Sequence, residues 1–206
     1  MGVRHFLFAL LVCGTAALRA ADARTIVFFG DSLTAGLGLE NPAAEAYPAV
    51  IQQKLDAGHL AYRVINAGLS GETTAGGLRR VDWILRQPVD IFVLALGAND
   101  GLRGIDPAAS QANLSAILER VRAKYPAARL VVAGMQMPPG MGPDYAGAFQ
   151  KIFPAVAETH RATLIPFLLD GVAGIPDLNQ NDGIHPTAQG AALVADNVWK
   201  VLRPLL

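Results

Sequence analysis

The sequence has little cysteine, little charge and few aromatic side chains. Among its 206 residues there is one cysteine, Cys13, with 17% charged and 7% aromatic residues. A single cysteine cannot form an intramolecular disulfide, so the chain folds without one. Lys plus Arg and Asp plus Glu number 17 each, and this balance lacks the basic excess that nucleic-acid binding requires. Apolar residues make up 52% of the chain, which argues against intrinsic disorder and favours one domain with a sizeable core.

The N-terminus has the pattern of an export signal. An apolar stretch without charged residues covers residues 6–18, shortly after a basic residue. This stretch is too short to span a bilayer comfortably, and the small residues at 21–23 fit an A-x-A cleavage site. We therefore expect a secretory signal peptide within residues 1–23, cleaved after Ala20 or Ala23.

The mature protein is then a single domain over residues 24–206, exported to the periplasm or secreted. Because Cys13 lies inside the signal, the mature protein contains no cysteine, which excludes thiol catalysis and a cysteine metal site. Cys13 follows Val12, where a lipoprotein signal would have a small residue. We therefore expect no lipid attachment and no stable membrane anchor.

Stretches typical of buried strands alternate with stretches typical of amphipathic helices. The predicted strands cover residues 26–29, 62–67, 91–96, 130–133 and 163–167. The predicted helices cover residues 48–57, 73–86, 107–121, 146–161 and 187–202, with Pro154 expected to kink or interrupt the fourth. This alternation predicts the α/β class, as a flavodoxin-like three-layer α/β/α sandwich around a five-stranded parallel sheet. The proline- and glycine-rich residues 137–145 are predicted to form a loop over the site.

The first strand stops abruptly at Gly30, Asp31 and Ser32. Residues 26–29 are β-branched or aromatic, as in a strand that is buried on both faces. Polar residues at the carboxyl end of such a strand lie where open α/β sheets bind ligands. Ser32 is therefore a candidate nucleophile, although a serine in this position is also a common helix N-cap.

Two further segments combine glycine with small polar residues directly after predicted strands. They cover residues 68–73 and 97–100, and in a parallel sheet both reach the same edge as Ser32. Together the three segments offer a nucleophile, a backbone N–H donor and a side-chain amide donor to one oxygen atom. Structural roles also fit, since Thr73 suits a helix cap and Asn99 with Asp100 is a common turn pair.

A fourth segment contains Asp182 and His185, an acid and a histidine three residues apart in a predicted tight turn. In that position the carboxylate can hold the imidazole in one tautomer and stabilise its charged form. His5 lies in the signal, and His59 and His160 are expected at the surface, so His185 is the candidate general base. A structural role beside the start of the last helix is the alternative.

These four segments resemble the four sequence blocks of the SGNH, or GDSL, hydrolases. The matching residues are Gly30-Asp31-Ser32-Leu33, Gly71, Gly97-x-Asn99-Asp100 and Asp182-x-x-His185, in the family's order along almost all of the mature chain. Residues 97–104 and 182–186 are similar to the small bacterial periplasmic thioesterase, arylesterase and lysophospholipase subgroup. The nucleophile elbow G-x-S-x-G is absent around Ser32, which argues against an α/β-hydrolase.

The resemblance implies a serine hydrolase that needs no cofactor and no metal. Ser32 would attack an acyl carbonyl, His185 would take its proton, and Asp182 would orient His185. The oxyanion would be bound by the backbone N–H groups of Ser32 and Gly71 and by the side chain of Asn99. The expected partner is a small acyl ester or thioester, including aryl esters, acyl-CoA and lysophospholipid-like molecules, and the protein is expected to be a monomer. A helix starting at Ser32 would add positive potential near the developing charge, and the preceding aspartate would shape the turn.

Other functions fit part of the same pattern. A metal-dependent phosphoesterase would use Asp31, Asp100, Asp182 and His185 as ligands, and an inactive binding module is a third class. Within the esterases, a carbohydrate O-acetylesterase is the rival, but the candidate loops contain few aromatic residues for a sugar. Apolar residues favour an acyl pocket instead, namely Met135, Met137, Pro138, Pro139, Met141 and Ile175.

Overall fold

The computed structural model describes residues 23–138 and 140–206, so residues 1–22 of the predicted signal lie outside the described part, as does Pro139. The strands are β1 (Arg24–Gly30), β2 (Tyr62–Gly68), β3 (Ile91–Ala95), β4 (Arg129–Ala133) and β5 (Thr163–Ile165). The helices are α1 (Ser32–Ala35), α2 (Pro42–Glu45), α3 (Tyr47–Ala57), α4 (Thr74–Ile84), α5 (Ala98–Leu102), α6 (Pro107–Lys124), α7 (Pro143–Thr159) and α8 (Ala188–Leu202). Short 3₁₀ turns cover Pro176–Leu178 and Arg203–Leu205.

The five strands form one parallel sheet in the order β2-β1-β3-β4-β5. This is the flavodoxin-like strand order, and the predicted fold class is confirmed. Strand β1 pairs with β2 along its whole length, from Arg24 beside Tyr62 to Gly30 beside Gly68. On its other side β1 pairs with β3. The order reverses next to β1, so the carboxyl ends of these three strands border the crevice where doubly wound sheets bind ligands.

Helices cover both faces of the sheet. Helices α4, α6 and α7 pack side by side on one face, while α3 and α8 pack together on the other. The side chains of residues 26–29 in β1 are fully buried between the two layers. Because apolar burial of this kind is the main source of folding free energy, the central strand is among the most firmly held parts of the chain.

The structure differs from the sequence prediction in three helices. Helices α2 and α5 were not predicted, because segments this short do not show a helical hydrophobic period. Helix α7 begins at Pro143 rather than at residue 146, and it continues past Pro154 without interruption. Because proline has no N–H, the carbonyl of Gln150, four residues earlier, has no donor from the helix. Pro154 and Gln150 both lie on the exposed side of the helix. Water can bond that carbonyl, so the cost of an internal proline is reduced here.

The close approach of β2 to α1 gives a test of the packing at the sheet edge. A methyl group on Gly68 would lie 2.3 Å from the backbone nitrogen of Ala35, so the backbone itself would have to move. We expect Gly68→Ala to lower the free energy of unfolding by about 1–3 kcal/mol, measured by urea denaturation. Gly147→Ala is the matched control, because that added methyl group meets nothing within 4 Å inside α7. The free energy of unfolding of Gly147→Ala should rise by about 0.5–1 kcal/mol. An equal change in the free energy of unfolding for both variants would contradict the packing argument.

Candidate active site

The turn after β1 presents Ser32 at the carboxyl edge of the sheet. Ser32 is the first residue of α1, and the Asp31 carboxylate caps this helix by accepting a hydrogen bond from Leu33 N at 3.0 Å. Gly30 leaves no room for a side chain, because a Cβ there would lie 2.0 Å from Thr34 Oγ1. The predicted helix start at Ser32 and the structural role of Asp31 are therefore confirmed.

Asp182 and His185 lie in one tight turn before α8. Asp182 Oδ1 accepts hydrogen bonds from the backbone N–H groups of Ile184 at 2.9 Å and His185 at 3.0 Å. Gly183, between them, has φ +69°, a left-handed conformation that glycine adopts without strain. The turn thus fixes the carboxylate against its own backbone and leaves Oδ2 free to face the imidazole.

An unbroken chain of hydrogen bonds connects Asp182, His185 and Ser32. Asp182 Oδ2 lies 2.5 Å from His185 Nδ1, and His185 Nε2 lies 2.9 Å from Ser32 Oγ. A carboxylate only accepts hydrogen bonds, so Nδ1 carries a proton and neutral Nε2 accepts from the serine hydroxyl. The structure therefore brings together all three residues that the sequence nominated, in the arrangement that lets a serine be deprotonated.

Asp182 stays ionised in this environment. Partial burial alone would raise its pKa, but the hydrogen bonds from the His185 ring and from the backbone of His185 and Ile184 outweigh it and hold the pKa at about 2. The carboxylate is thus negative throughout the neutral range. It can stabilise a positive charge on the imidazole whenever His185 accepts a proton.

The three predicted oxyanion donors face the same edge from three separate segments. Within residues 23–138 and 140–206, the backbone N–H groups of Ser32 and Gly71 donate to no protein acceptor. Gly71 has φ +78°, which suits glycine. The Asn99 amide nitrogen lies 3.5 Å from Asp31 Oδ2, at the outer limit of a hydrogen bond. Because an amide has two N–H groups, one remains for a substrate oxygen.

Asp100 is fully buried and holds α5 against two other helices, so it does not reach the site as a metal ligand would. Its carboxylate accepts hydrogen bonds from Thr74 N at 2.8 Å, Thr74 Oγ1 at 2.5 Å and Ser110 Oγ at 3.1 Å. In the described residues no three His, Cys, Asp or Glu side chains are grouped to hold a metal ion. The phosphoesterase hypothesis therefore loses one of its ligands.

A narrow apolar crevice opens beside Ser32 and His185. Its walls come from α1 and the residues after it, from the segment before α8 and from α8 itself, and include Leu33, Leu37, Leu39, Leu169, Pro186 and Val194. None of the described residues that were predicted to form an acyl pocket lines this crevice. Met135 is buried in the core, and Met137 packs against Gly101. The prediction was wrong for Met135 because an apolar residue directly after a buried strand is more often core than pocket.

Sequence reasoning did not nominate Gln180, which ties the histidine turn to the serine turn. Its side-chain amide donates to Leu37 O at 2.7 Å and to Pro186 O at 3.0 Å. These partners are distant in sequence or irregular in structure, so no local pattern indicates them. Of the remaining histidines, His59 is exposed as predicted, but His160 is half-buried and its Nε2 has no partner among the described residues.

The sequence pattern of the GDSL-like Lipase/Acylhydrolase family matches residues 28–193, which include every candidate site residue. The chain therefore belongs to this family. It is 40% identical to "Esterase TesA" of Pseudomonas aeruginosa over 96% of this chain and 99% of that protein. It is 36% identical to "Thioesterase 1/protease 1/lysophospholipase L1" of Escherichia coli K12, over 98% of this chain and 93% of that protein.

A solved structure supports the same family. The psychrotrophic esterase EstA from Pseudoalteromonas sp., inhibited by monoethylphosphonate, superposes with a TM-score of 0.81 at 35% identity. The match covers 88% of this chain and 98% of that chain. The family is thus supported by sequence and by fold over the whole described domain.

Asp31 gives a pH test of the site. Burial raises the pKa of Asp31 to about 6, against hydrogen bonds from Leu33 N and Asn99 and the charge of His185. A carboxyl whose folded pKa exceeds its unfolded value of about 4 binds more protons when folded, so stability falls as pH rises between these values. We expect the unfolding free energy of the unmodified protein, relative to Asp31→Asn, to fall from about pH 4 to 6 and then level off. Both unfolding free energies are measured by urea denaturation at each pH. If they changed in parallel across this range, the raised pKa would not belong to Asp31.

Proposed function

We propose that this protein is a serine esterase and thioesterase that hydrolyses carboxylic ester or acyl-thioester bonds through an acyl-enzyme. The observation that carries the proposal is the hydrogen-bond chain from Asp182 through His185 to Ser32, beside free N–H donors. The names of the two relatives, an esterase and a thioesterase with lysophospholipase activity, support the same reaction class.

In the proposed first step Ser32 Oγ attacks the acyl carbonyl while His185 Nε2 takes the hydroxyl proton. The 2.9 Å distance between these atoms already suits that transfer. Asp182 remains ionised and stabilises the imidazolium that forms. The N–H groups of Ser32 and Gly71 and the amide of Asn99 bind the oxyanion, where charge develops in the transition state.

In the second half of the reaction the same groups act in reverse. The imidazolium of His185 gives its proton to the departing alcohol or thiol, and the acyl group stays on Ser32 Oγ. Water then enters, His185 takes one of its protons, and the hydroxide attacks the acyl carbonyl. Collapse of this second tetrahedral intermediate releases the carboxylic acid and returns the proton to Ser32.

The surroundings of the site favour an apolar acyl chain. The crevice beside Ser32 and His185 is lined mainly by aliphatic side chains. Exposed aliphatic residues also follow or border the site segments, with Leu37 47%, Leu69 52%, Leu102 41% and Ile184 42% exposed. Apolar side chains that border the site offer contact area to an apolar ligand. Aryl esters, acyl-CoA and lysophospholipid-like molecules fit this chemistry better than an acetylated sugar.

We also propose that the enzyme is exported. The support is the N-terminal pattern of a basic residue, the uncharged residues 6–18 and the small residues at 21–23. Among the helices that the structure describes, none is long and apolar enough to cross a membrane. Export would place the enzyme where acyl esters in the envelope or medium are its substrates.

The function is tested by one substrate panel. We expect hydrolysis of p-nitrophenyl esters from acetyl to palmitoyl and of acyl-CoAs, with acetylated sugar a poorer substrate and with no loss on adding a chelator. Ser32→Ala and His185→Ala should each lose turnover by roughly 10⁴-fold or more, since the proposed triad acts as a unit. A fluorophosphonate should label Ser32 alone. Labelling of Ser70, or loss of activity with the chelator, would overturn the assignment.

The oxyanion hole is tested at Asn99. Asn99→Ala removes one of three proposed donors, so we expect kcat to fall by about 10²–10³-fold in ester hydrolysis. Asn113→Ala is a suitable comparison, because Asn113 also donates from its amide near α4 but binds Thr74 Oγ1 rather than facing the site. A loss below about threefold at Asn99 would remove this residue from the mechanism.

A further inference from the structure

Glu72 and Arg80 form a partly buried ion pair beside the loop that contains Gly71. Glu72 follows Gly71, and its side chain is only 4% exposed. The single N–H of Arg80 Nε is shared between the two oxygens of this carboxylate, at 2.8 Å from Oε1 and 2.7 Å from Oε2. Arg80 Nη2 also contacts Glu72 Oε2. Two nitrogens of one guanidinium, Nε and Nη2, thus hold one carboxylate, which restricts the orientation of both side chains.

Arg80 simultaneously holds the ends of two strands. Its Nη2 donates to Ala67 O at 2.8 Å, next to the end of β2, and to Gly30 O at 3.3 Å, the last carbonyl of β1. The guanidinium carbon lies 4.2 Å from the centre of the Phe29 ring, in cation–π geometry. Arg80 is therefore bonded to the turn that leads into Ser32 and, through Glu72, to the loop that contains Gly71.

We infer that Arg80, acting through Glu72, is a positioning residue of the oxyanion hole. Gly30 lies two residues before Ser32 and Glu72 lies one residue after Gly71, so a single guanidinium holds the chain close to both N–H donors. Preorganised donors stabilise an oxyanion only if their separation is held before the charge develops. This inference rests on the proposed function.

The charge on Glu72 makes Arg80 necessary for a second reason. A buried carboxylate next to Gly71 would repel the negative charge that forms on the substrate oxygen. The guanidinium neutralises it and satisfies its oxygens, so the N–H groups act on the substrate without this opposing charge. Lysine cannot replace arginine here, because one ammonium group cannot reach both carboxylate oxygens and both strand ends in a fixed geometry.

The test is Arg80→Met, which keeps the length of the side chain and removes its donors. We expect kcat for a p-nitrophenyl ester to fall by about 10- to 100-fold, as small misplacements of catalytic groups typically cause. KM should change by less than about threefold, because the apolar crevice is intact. The rate of phosphonate labelling of Ser32 should fall in parallel with kcat. The kcat of Arg80→Lys should lie between those of the unmodified protein and Arg80→Met.

Arg120→Met is the matched control. Arg120 also bonds helix α4, through Asp82 Oδ2 and Leu78 O at 2.9 Å each, but on an exposed face away from Gly71. We expect this variant to keep the kcat of the unmodified protein. Expressing kcat per Ser32 that the phosphonate finally labels removes any contribution from misfolded protein, so a purely structural role of Arg80 would leave this value unchanged.

The double variant Arg80→Met/Glu72→Gln leaves no unpaired buried charge, so it tests the inference even if Arg80→Met folds poorly. A positioning role predicts that kcat per labelled site stays low in the double variant while thermal stability recovers. Recovery of kcat to the value of the unmodified protein would overturn the inference, as would an unchanged kcat in Arg80→Met. If the unmodified protein and Arg120→Met hydrolyse no ester at all, the proposed function itself fails.

Discussion

The structure depends on the pairing of β1 with a neighbour on each side. Strand β1 bonds to β2 and β3, and its residues 26–29 are fully buried between two layers of helices. A strand held in this way cannot shift its register without exposing apolar side chains and breaking two ladders of hydrogen bonds. The end of β1, and with it Ser32, therefore has a fixed position, and the other site segments are placed relative to it.

Polar contacts between segments, some buried and some at the surface, help to set the orientation of the site segments. Asp100 bonds α5 to α4 and α6, Glu72 and Arg80 bond the Gly71 loop to the strand ends, and Gln180 bonds the histidine turn to the residues after α1. Hydrogen bonds are directional, so they fix angles that apolar contacts leave free. A buried polar group without its partner is costly, so the contacts of the buried Asp100 and Glu72 also disfavour alternative loop arrangements.

The sequence predicts those parts of the structure that depend on local pattern. The strands follow from continuous apolar runs, the cap at Asp31 from its position before a helix, and the proximity of Asp182 to His185 from their spacing in one turn. Arg80 and Glu72 could not be paired in this way. Glu72 lies in a loop and Arg80 in a helix, and the carbonyls that complete their contacts come from strands placed by the tertiary fold. The same limit explains why the crevice beside Ser32 was not predicted, since its walls include residues of α1 and α8, which lie near opposite ends of the sequence.

Two carboxyl groups near Ser32 have opposite environments, and this difference separates their roles. Asp182 is partly exposed and strongly hydrogen-bonded, with a pKa of about 2, whereas burial raises the pKa of Asp31 to about 6. When the environments of two acids push their pKa values apart, the two acids suit different roles. Asp182 is the permanent anion that suits the imidazole of His185. Asp31 caps α1 with one oxygen and faces the Asn99 amide with the other. Above pH 6 Asp31 is charged, and this charge strengthens its contact with the Asn99 amide.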